Sequence, residues 1–423
     1  MRSWVLPLLL LALPLQAKAQ TPAPKPASAG CAVCHGEQAQ QHARSLHARS
    51  GIGCIDCHGG NDAVLEVEAA HGADLAALRG PSERVAMCGS CHGDVQRMRL
   101  YGLRTDQLAL YATSQHGRKL AEDPQADVAT CVSCHGSHEV LSPADTRSPI
   151  HKFNQLTSCG ECHSDAERMR RHGLPSDVVA QYRDSVHGRA LLEQGHPAAP
   201  ACTDCHGSHG AAPPRVLEIE TACGHCHSVV QDYFEQGPHA PRAAGGANIQ
   251  CASCHDNHAV APPSSALFLG DAEGHCGSCH EAGVGTALAV AERLHSDVTD
   301  FERRILEAEE AVRMASLRGL FLGPERGYLG DARSLLVRAR ALTHTLSTEA
   351  LDDALNRGEA MVATAMENLA MKRRGLRDRK IFTGLFFGVT VAFALALWLY
   401  AREIRGRWKE GRAASAAEEA DAI

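Results

Sequence analysis

The stretch Cys131-Val132-Ser133-Cys134-His135-Gly136-Ser137-His138 contains the pattern that organises most of this chain. Its core, Cys-x-x-Cys-His, occurs nine times, and residues 202–209 repeat almost the whole octapeptide. The chain has 18 Cys, and the nine copies use every one of them, so none is left for a disulfide bond or a separate metal site. The copies are Cys31–His35, Cys54–His58, Cys88–His92, Cys131–His135, Cys159–His163, Cys202–His206, Cys223–His227, Cys251–His255 and Cys276–His280.

Two cysteines separated by two residues, with a histidine directly after the second cysteine, form the attachment pattern of c-type haem. The thiols add to the two vinyl groups, and the histidine is then placed to bind the iron. We therefore predict nine covalently attached haem c groups. The predicted thioether residues are Cys31, Cys34, Cys54, Cys57, Cys88, Cys91, Cys131, Cys134, Cys159, Cys162, Cys202, Cys205, Cys223, Cys226, Cys251, Cys254, Cys276 and Cys279. The predicted proximal iron ligands are His35, His58, His92, His135, His163, His206, His227, His255 and His280.

Paired cysteines also occur in zinc sites, in disulfide bonds and in thioredoxin-type redox pairs. None of these requires a histidine directly after the second cysteine, yet every copy has one. The pattern therefore favours haem over the three alternatives.

The motifs belong to a longer repeat. Residues 97–103 are matched by residues 168–174, and each segment leads to Ser-x-His-Gly and then to Cys-x-x-Cys-His-Gly-Ser-His. A degenerate copy precedes Cys54 and a shortened one precedes Cys251. We interpret the region as one leading haem followed by four two-haem units.

Histidine is the expected second axial ligand, because the chain has 25 His but only 8 Met. Most candidates lie in Ser-x-His elements or three residues after a motif. The distal candidates are His47, His71, His116, His138, His151, His187, His209, His239 and His258. The sequence leaves open which candidate serves which iron. Met98 and Met169, at equivalent repeat positions, are interpreted as packing residues.

Composition supports a core made largely of cofactor. Aromatic residues are only 4% of the chain, too few for an ordinary core of this size. The formal net charge is −7, and haem propionates would add further negative charge. This balance argues against nucleic acid as a partner and favours basic docking surfaces on redox proteins.

The N-terminus predicts export. Arg2 precedes an apolar run from Val5 to Leu15, and Ala17-Lys18-Ala19 fits a cleavage site. We predict a signal peptide at residues 1–19, with an uncleaved anchor as the alternative, and a Pro/Ala linker at residues 20–30.

Residues 31–281 are predicted to form the nonahaem domain, and residues 282–380 a helical hairpin or bundle with a structural role as a stalk or docking surface. The first helix is indicated by an apolar stripe, with breaks expected at Gly323-Pro324 and from Gly327 to Gly330. A second helix is expected from Asp331 to about Leu346, and a third begins at Ser347 or Thr348. The stripe residues are Leu294, Val298, Phe301, Ile305, Ala308 and Val312, and those of the third helix are Leu351, Leu355, Val362, Ala365 and Leu369.

Residues 381–400 are uncharged and mostly apolar, long enough to cross one bilayer. Basic residues flank the run on both sides, and Trp398 and Tyr400 suit a membrane interface. We predict a transmembrane helix and a cytoplasmic tail at residues 401–423. Charge does not fix the orientation, whereas the signal peptide would place the haem domain in the periplasm. A buried core helix is the alternative.

Residues 31–280 resemble the paired-CxxCH multihaem cytochromes, a group similar to the cytochrome c3 type, through the Cys-x-x-Cys-His-Gly-Ser-His and Ser-x-His-Gly elements. The resemblance implies bis-histidine, low-potential, closely stacked haems that conduct electrons. The long helices after the last motif also resemble those of hydroxylamine oxidoreductase and pentahaem nitrite reductase. The chain lacks the Cys-x-x-Cys-Lys motif of the nitrite reductases. The predicted fold class is mainly α with extensive loops wrapped around stacked haems.

Two functions remain at this stage. The favoured one is a membrane-anchored periplasmic cytochrome that relays electrons between the membrane and periplasmic or outer redox proteins. At the membrane this cytochrome would exchange electrons with the quinol pool or with an integral-membrane subunit. The alternative is a terminal oxidoreductase that acts on a small nitrogen or sulfur compound at one five-coordinate haem. No catalytic residue is predicted.

Overall fold

The computed structural model describes residues 29–75, 80–211, 222–240, 249–269, 275–281 and 283–421. The predicted signal peptide and most of the linker lie outside these residues. Within them every regular element is a helix, and no strand occurs. The mainly α class is therefore confirmed.

The motif-bearing region consists of short helices joined by loops. Each motif contributes one turn or the end of a helix, because the whole motif is only five residues long. The α-helices are Ala29–Cys34, Gly36–Ala43, Leu46–Arg49, Cys54–His58, Val67–Ala70, Pro81–His92, Val95–Met98, Gln107–Thr113, Gln115–Glu122, Cys131–His135, Gln155–His163, Ala166–Arg171, Val178–Asp184, Val186–Leu192, Cys202–His206, Ser228–Phe234 and Cys251–His255. Single 3₁₀ turns lie at Arg99–Tyr101, Lys152–Asn154, Ala222–His225, Ser265–Phe268, Cys276–Ser278 and Thr343–Thr345.

The chain divides into two compact units. The first contains residues 1–227 and 250–262, and the second contains residues 228–249 and 263–423. Cys276–His280 therefore belongs to the same unit as the long helices, and the other eight motifs belong to the first unit.

The first unit has little apolar core of its own. Its described buried cluster contains only Leu191, Ala199 and Ala201, with Tyr182 and Ala190 packed against it. Such a cluster cannot offset the conformational entropy lost by about 200 ordered residues. Other buried apolar residues of this unit, among them Val85, Leu120 and Leu156, lie outside this cluster.

The second unit contains three long helices, Ala287–Leu317, Gly323–Leu342 and Thr348–Asp421. The predicted stripe of the first helix is buried from Leu294 to Val312, with Phe301 only 1% exposed. It packs on Ala332, Leu336 and Leu351 of the other two helices. The helical bundle is thus held by an ordinary side-chain core.

The predicted start of the second helix is wrong. The helix begins at Gly323 and not at Asp331, and it ends at Leu342 before a 3₁₀ turn. Pro324 lies in the first turn, where its missing N–H costs nothing, so it starts the helix instead of breaking it. Gly327 and Gly330 are tolerated inside it.

The third helix begins where one of the two predicted caps lies. The Ser347 hydroxyl accepts a hydrogen bond from the Ala350 amide at 3.2 Å, so Ser347 is the cap and Thr348 the first helical residue. Leu351, Ala365 and Leu369 are buried in the bundle.

This helix continues without a break through residues 381–400. The apolar part has a mean hydropathy of 2.1, is long enough to cross a membrane and has none of its surface buried by the rest of the chain. The alternative of a buried core helix is therefore wrong. A single-pass membrane anchor is compatible with this segment.

Candidate haem-binding sites

Four motifs share one local geometry, a single helical turn followed by a residue with positive φ. In Cys131–His135 the Thr130 amide donates to the Ser133 hydroxyl at 3.0 Å, which starts the turn. Gly136, with φ of 76°, ends it directly after the histidine. The same reversal occurs after the equivalent histidines at Gly59, Gly207 and Asp256.

Asp256 is the exception in this set, because a non-glycine residue with φ of 65° is strained. Its carboxylate accepts a hydrogen bond from the Asn257 amide at 2.7 Å, a contact that only a short acidic or amide side chain provides. The reversal is thus kept in the last copy, where glycine is absent.

The Ser-x-His-Gly elements form a second kind of local site. Ser114 caps the helix Gln115–Glu122 by accepting a hydrogen bond from the Gly117 amide at 3.0 Å. A Cβ at Gly117 would lie 2.0 Å from the Tyr111 carbonyl oxygen, so only glycine fits. Ser185 and Gly188 repeat the arrangement against Tyr182.

The cap places the histidine in the first turn of its helix, where the backbone is fixed on both sides. Ser45, Ser114 and Ser185 are at most 2% exposed. Burial lowers the pKa of His47, His116 and His187. A lowered pKa keeps these imidazoles neutral, which is the form that binds a metal.

The structure places eight motif histidines beside eight of the distal candidates. The ring centres of all eight pairs are separated by between 5.9 and 6.3 Å. The pairs are His35–His71, His47–His92, His58–His138, His116–His163, His135–His209, His187–His227, His206–His258 and His239–His280.

This separation fits an iron between two imidazoles. A metal–nitrogen bond is about 2 Å, and a ring radius is a little over half of that, so two axial rings have centres about 6 Å apart. Aromatic rings in direct contact have centres about 4.5–7 Å apart, so this distance alone does not identify a metal. The recurrence of one motif histidine beside one distal candidate at nearly the same distance in eight pairs is what fits haem.

The pairs follow two rules of chain connectivity. Four motif histidines face the Ser-x-His or Pro-His histidine that lies about 40 to 47 residues before them. Three others face the histidine that follows the motif two copies further along the chain. Pairs of the first kind consist of two histidines from the same repeat. Pairs of the second kind join histidines from consecutive repeats.

Consecutive motifs also lie next to each other. The thiols of Cys88 and Cys131 lie close enough to shift each other's pKa, as do those of Cys159 and Cys202 and those of Cys223 and Cys251. The thiols of Cys31 and Cys54, from the first two motifs, also lie close to each other. Groups attached to these sulfur atoms would therefore touch in chain order.

His151 is the one distal candidate that is not part of these pairs. Its ring lies 5.6 Å from that of Phe153, and its Nδ1 is buried without a hydrogen-bond partner. His255 is the motif histidine outside the eight pairs. The Nδ1 atoms of His42 and His295, which the sequence left unassigned, are likewise buried without a partner.

Sequence reasoning missed one set of contacts. The guanidinium of Arg97 donates to the Cys91 sulfur at 3.2 Å, and that of Arg168 to the Cys162 sulfur at 2.8 Å. The matched segments 97–103 and 168–174 were the available signal. Met98 and Met169, in the same segments, are 7% and 4% exposed, as expected of packing residues.

No three His, Cys, Asp or Glu side chains converge on a bare metal site in the part of the chain that the structure describes. The recurring unit is instead a pair of imidazoles beside a pair of thiols. This arrangement suits a metal already held in a flat macrocycle, whose ring nitrogens occupy the four remaining positions.

Comparison with known proteins gives a distant relative. No family model matches the chain, and no solved structure matches it. The multiheme cytochrome MtrA of Shewanella baltica (strain OS185) is 25% identical over 178 residues, which is 37% of this chain and 51% of that protein. The chain thus spans about half the length of this relative. The distant likeness supports a multihaem cytochrome with covalently bound haem and a role in electron transfer.

Proposed function

We propose that this chain is a membrane-anchored cytochrome that relays electrons along nine covalently attached haems between the membrane and periplasmic or outer redox proteins. The eight imidazole pairs at 5.9 to 6.3 Å carry the proposal, because they match the two axial ligands of a haem iron. The nine motif histidines are the proposed proximal ligands, and the paired candidates are the proposed distal ones.

The bound haems would supply iron that alternates between the ferric and ferrous states. Each pair of cysteines fixes one edge of the site, and the histidine that follows fixes its axis. The second imidazole would close the opposite face, so small molecules could not reach a metal bound there. Sites of this kind suit electron transfer and not substrate chemistry.

The order of the sites supports a continuous path. Because Cys88 contacts Cys131 and Cys159 contacts Cys202, the attachment points of neighbouring groups adjoin. The ligand pairs of the second rule add a further link, since His138 and His209 each reach back to an earlier repeat. The chain thus holds successive sites together by both thiols and imidazoles.

The apolar helix supports attachment to a membrane. Its side chains are exposed from Ile381 to Tyr400, and Arg402 lies 5.6 Å over the ring of Trp398. An aromatic ring next to a cation suits the boundary between acyl chains and headgroups. We propose that residues 1–19 direct export, so that the haem region faces the periplasm and residues 401–423 the cytoplasm.

The ferric spectrum of the purified full-length protein tests the relay. Entirely low-spin iron, with no turnover of nitrite, hydroxylamine or tetrathionate, is the expected result. A high-spin fraction near one ninth together with turnover of one of these compounds would replace the relay with the oxidoreductase function.

A truncation tests the anchor separately. The chain that ends at Lys380 should leave the membrane fraction and appear as a soluble red protein in the periplasm, because the exposed apolar surface is removed. The matched control ends at Arg407 and keeps the apolar run, so it should stay in the membrane. Retention of both proteins would contradict the anchor.

A further inference from the structure

Arg97 and Arg168 occupy the same position in two repeats, five residues after a motif histidine. Asp94 and Asp165 cap the short helices that carry them by accepting hydrogen bonds from backbone amides. Each guanidinium then points back to the second cysteine of the motif, Cys91 at 3.2 Å or Cys162 at 2.8 Å. The contact is thus built by the repeat and occurs twice.

Both cysteines lie beside the other motif of their own two-haem unit. Cys91 interacts with Cys57 of the preceding motif, and Cys162 with Cys134. A cation at either sulfur therefore lies at the edge where two attached groups would meet.

A thioether sulfur carries no charge, so attachment of haem would leave each guanidinium charge uncompensated by the sulfur. Reduction of a haem adds one electron. A fixed positive charge near the macrocycle stabilises the reduced state, and the effect is larger in a partly buried setting than in water.

The surroundings make the two sites unequal. Arg168 and Arg171 each pair with the carboxylate of Asp127 at 3.1 Å, and Arg171 also pairs with Glu167 at 3.6 Å. Arg97 is paired with Asp94 at 3.5 Å, and its side chain is 62% exposed against 31% for Arg168. Both arginines have a carboxylate partner, so the greater exposure of Arg97 to solvent is what weakens its effect.

In the next repeat the side chain at this position has the opposite charge. Five residues after His227 the chain has Asp232, an acid, where the other two repeats have arginine. The cation is therefore a feature of two repeats and not a requirement of the motif.

We propose that Arg168, and more weakly Arg97, raise the reduction potentials of the haems attached at Cys159–His163 and Cys88–His92. Electrons would then reside preferentially at these two sites, and the path would have an uneven potential profile. The inference rests on the proposed attachment of haem at these motifs.

Potentiometric titration of the full-length R168Q protein, followed by optical and electron paramagnetic resonance spectra, tests this. At a fixed potential the ferrous-to-ferric ratio of one haem should fall by about three- to tenfold. R168K keeps the charge and should restore most of the ratio. R171Q is the matched control, because Arg171 carries the same charge and also pairs with Asp127, whereas only Arg168 contacts the Cys162 sulfur.

Unchanged midpoints in R168Q, or equal shifts in R168Q and R171Q, would overturn the proposal. If R168Q fails to fold, the R97Q protein provides the test. A smaller fall in the ferrous-to-ferric ratio of the haem at Cys88–His92 would support the inference, and an unchanged ratio would refute it. The haem content of the wild-type protein is measured alongside. A wild-type protein without haem would refute the proposed function itself, whereas nine haems with unmoved midpoints would refute only this inference.

Discussion

The first compact unit and the helical bundle are both helical, but different materials stabilise them. In the bundle, Leu294, Phe301 and Ile305 of one helix are at most 1% exposed and contact the other two helices. In the first unit the described cluster has three members, two of them alanine. What the first unit has instead is a series of imidazole pairs with ring centres 5.9 to 6.3 Å apart. Side chains stabilise the bundle, and under the proposed function haem groups would stabilise the first unit.

Removal of haem should have the largest effect on this comparison. In a haem-free form of the full-length chain, produced without the attachment machinery, residues 29–227 should exchange their amide hydrogens as an unfolded chain does. The bundle helices should stay protected, because their core contains only side chains. Hydrogen exchange with mass spectrometry measures both regions in one sample. Equal protection in the two regions would show that the first unit folds without cofactor.

A cavity in the bundle should have the next largest effect. Phe301→Ala is expected to lower the free energy of unfolding of the bundle by about 3–5 kcal/mol, since it empties the centre of the core. Haem absorption should not change. Leu306→Ala is the control, because Leu306 lies on the same helix and is 51% exposed. Denaturant unfolding followed by circular dichroism and by haem absorption separates the two regions, and a shared loss of both signals would contradict their independence.

Removal of one proposed distal histidine should change the spin state of the iron at one haem of the nine. His116→Ala removes the ring that faces His163 at 6.3 Å, so about one ninth of the ferric iron should become high-spin. His172→Ala serves as the control, because His172 is exposed and lies in none of the pairs. An unchanged spectrum in the His116 variant would remove that residue from the ligands.

Two glycine substitutions should have the smallest effects, with opposite signs. Gly117→Ala places a methyl group 2.0 Å from the Tyr111 carbonyl and should destabilise the first unit by about 1–3 kcal/mol. Gly327→Ala meets nothing within 4 Å inside a helix and should stabilise the bundle by about 0.5–1 kcal/mol. Thermal unfolding compares the two variants with the unaltered protein. Equal effects would mean that the tight cap at His116 is not required.

Local patterns predicted much of this architecture. The helical stripe from Leu294 to Val312 is confirmed because a 3.6-residue period depends only on neighbours along one helix. The start of the second helix was predicted wrongly, since Pro324 can either begin or end a helix and only the packing of Leu329 and Ala332 decides.

The ligand pairs were beyond local reasoning. The candidates could be named from their spacing to motifs, but His58 meets His138 across 80 residues, and nothing local specifies that distance. The same holds for Arg168, whose repeat was visible while its contact with Cys162 was not. His151 was a candidate by position and stays a prediction, since its ring lies beside Phe153 and in none of the eight pairs.

The haem content of the chain is the central quantity. Mass spectrometry of the denatured full-length protein retains thioether-linked groups and releases all others, so it counts attached haems independently of colour or activity. Nine haems on each polypeptide, one for every pair of cysteines, is the predicted result. A polypeptide mass without haem, in a preparation whose 18 cysteines all react with a thiol reagent after denaturation, would contradict the account.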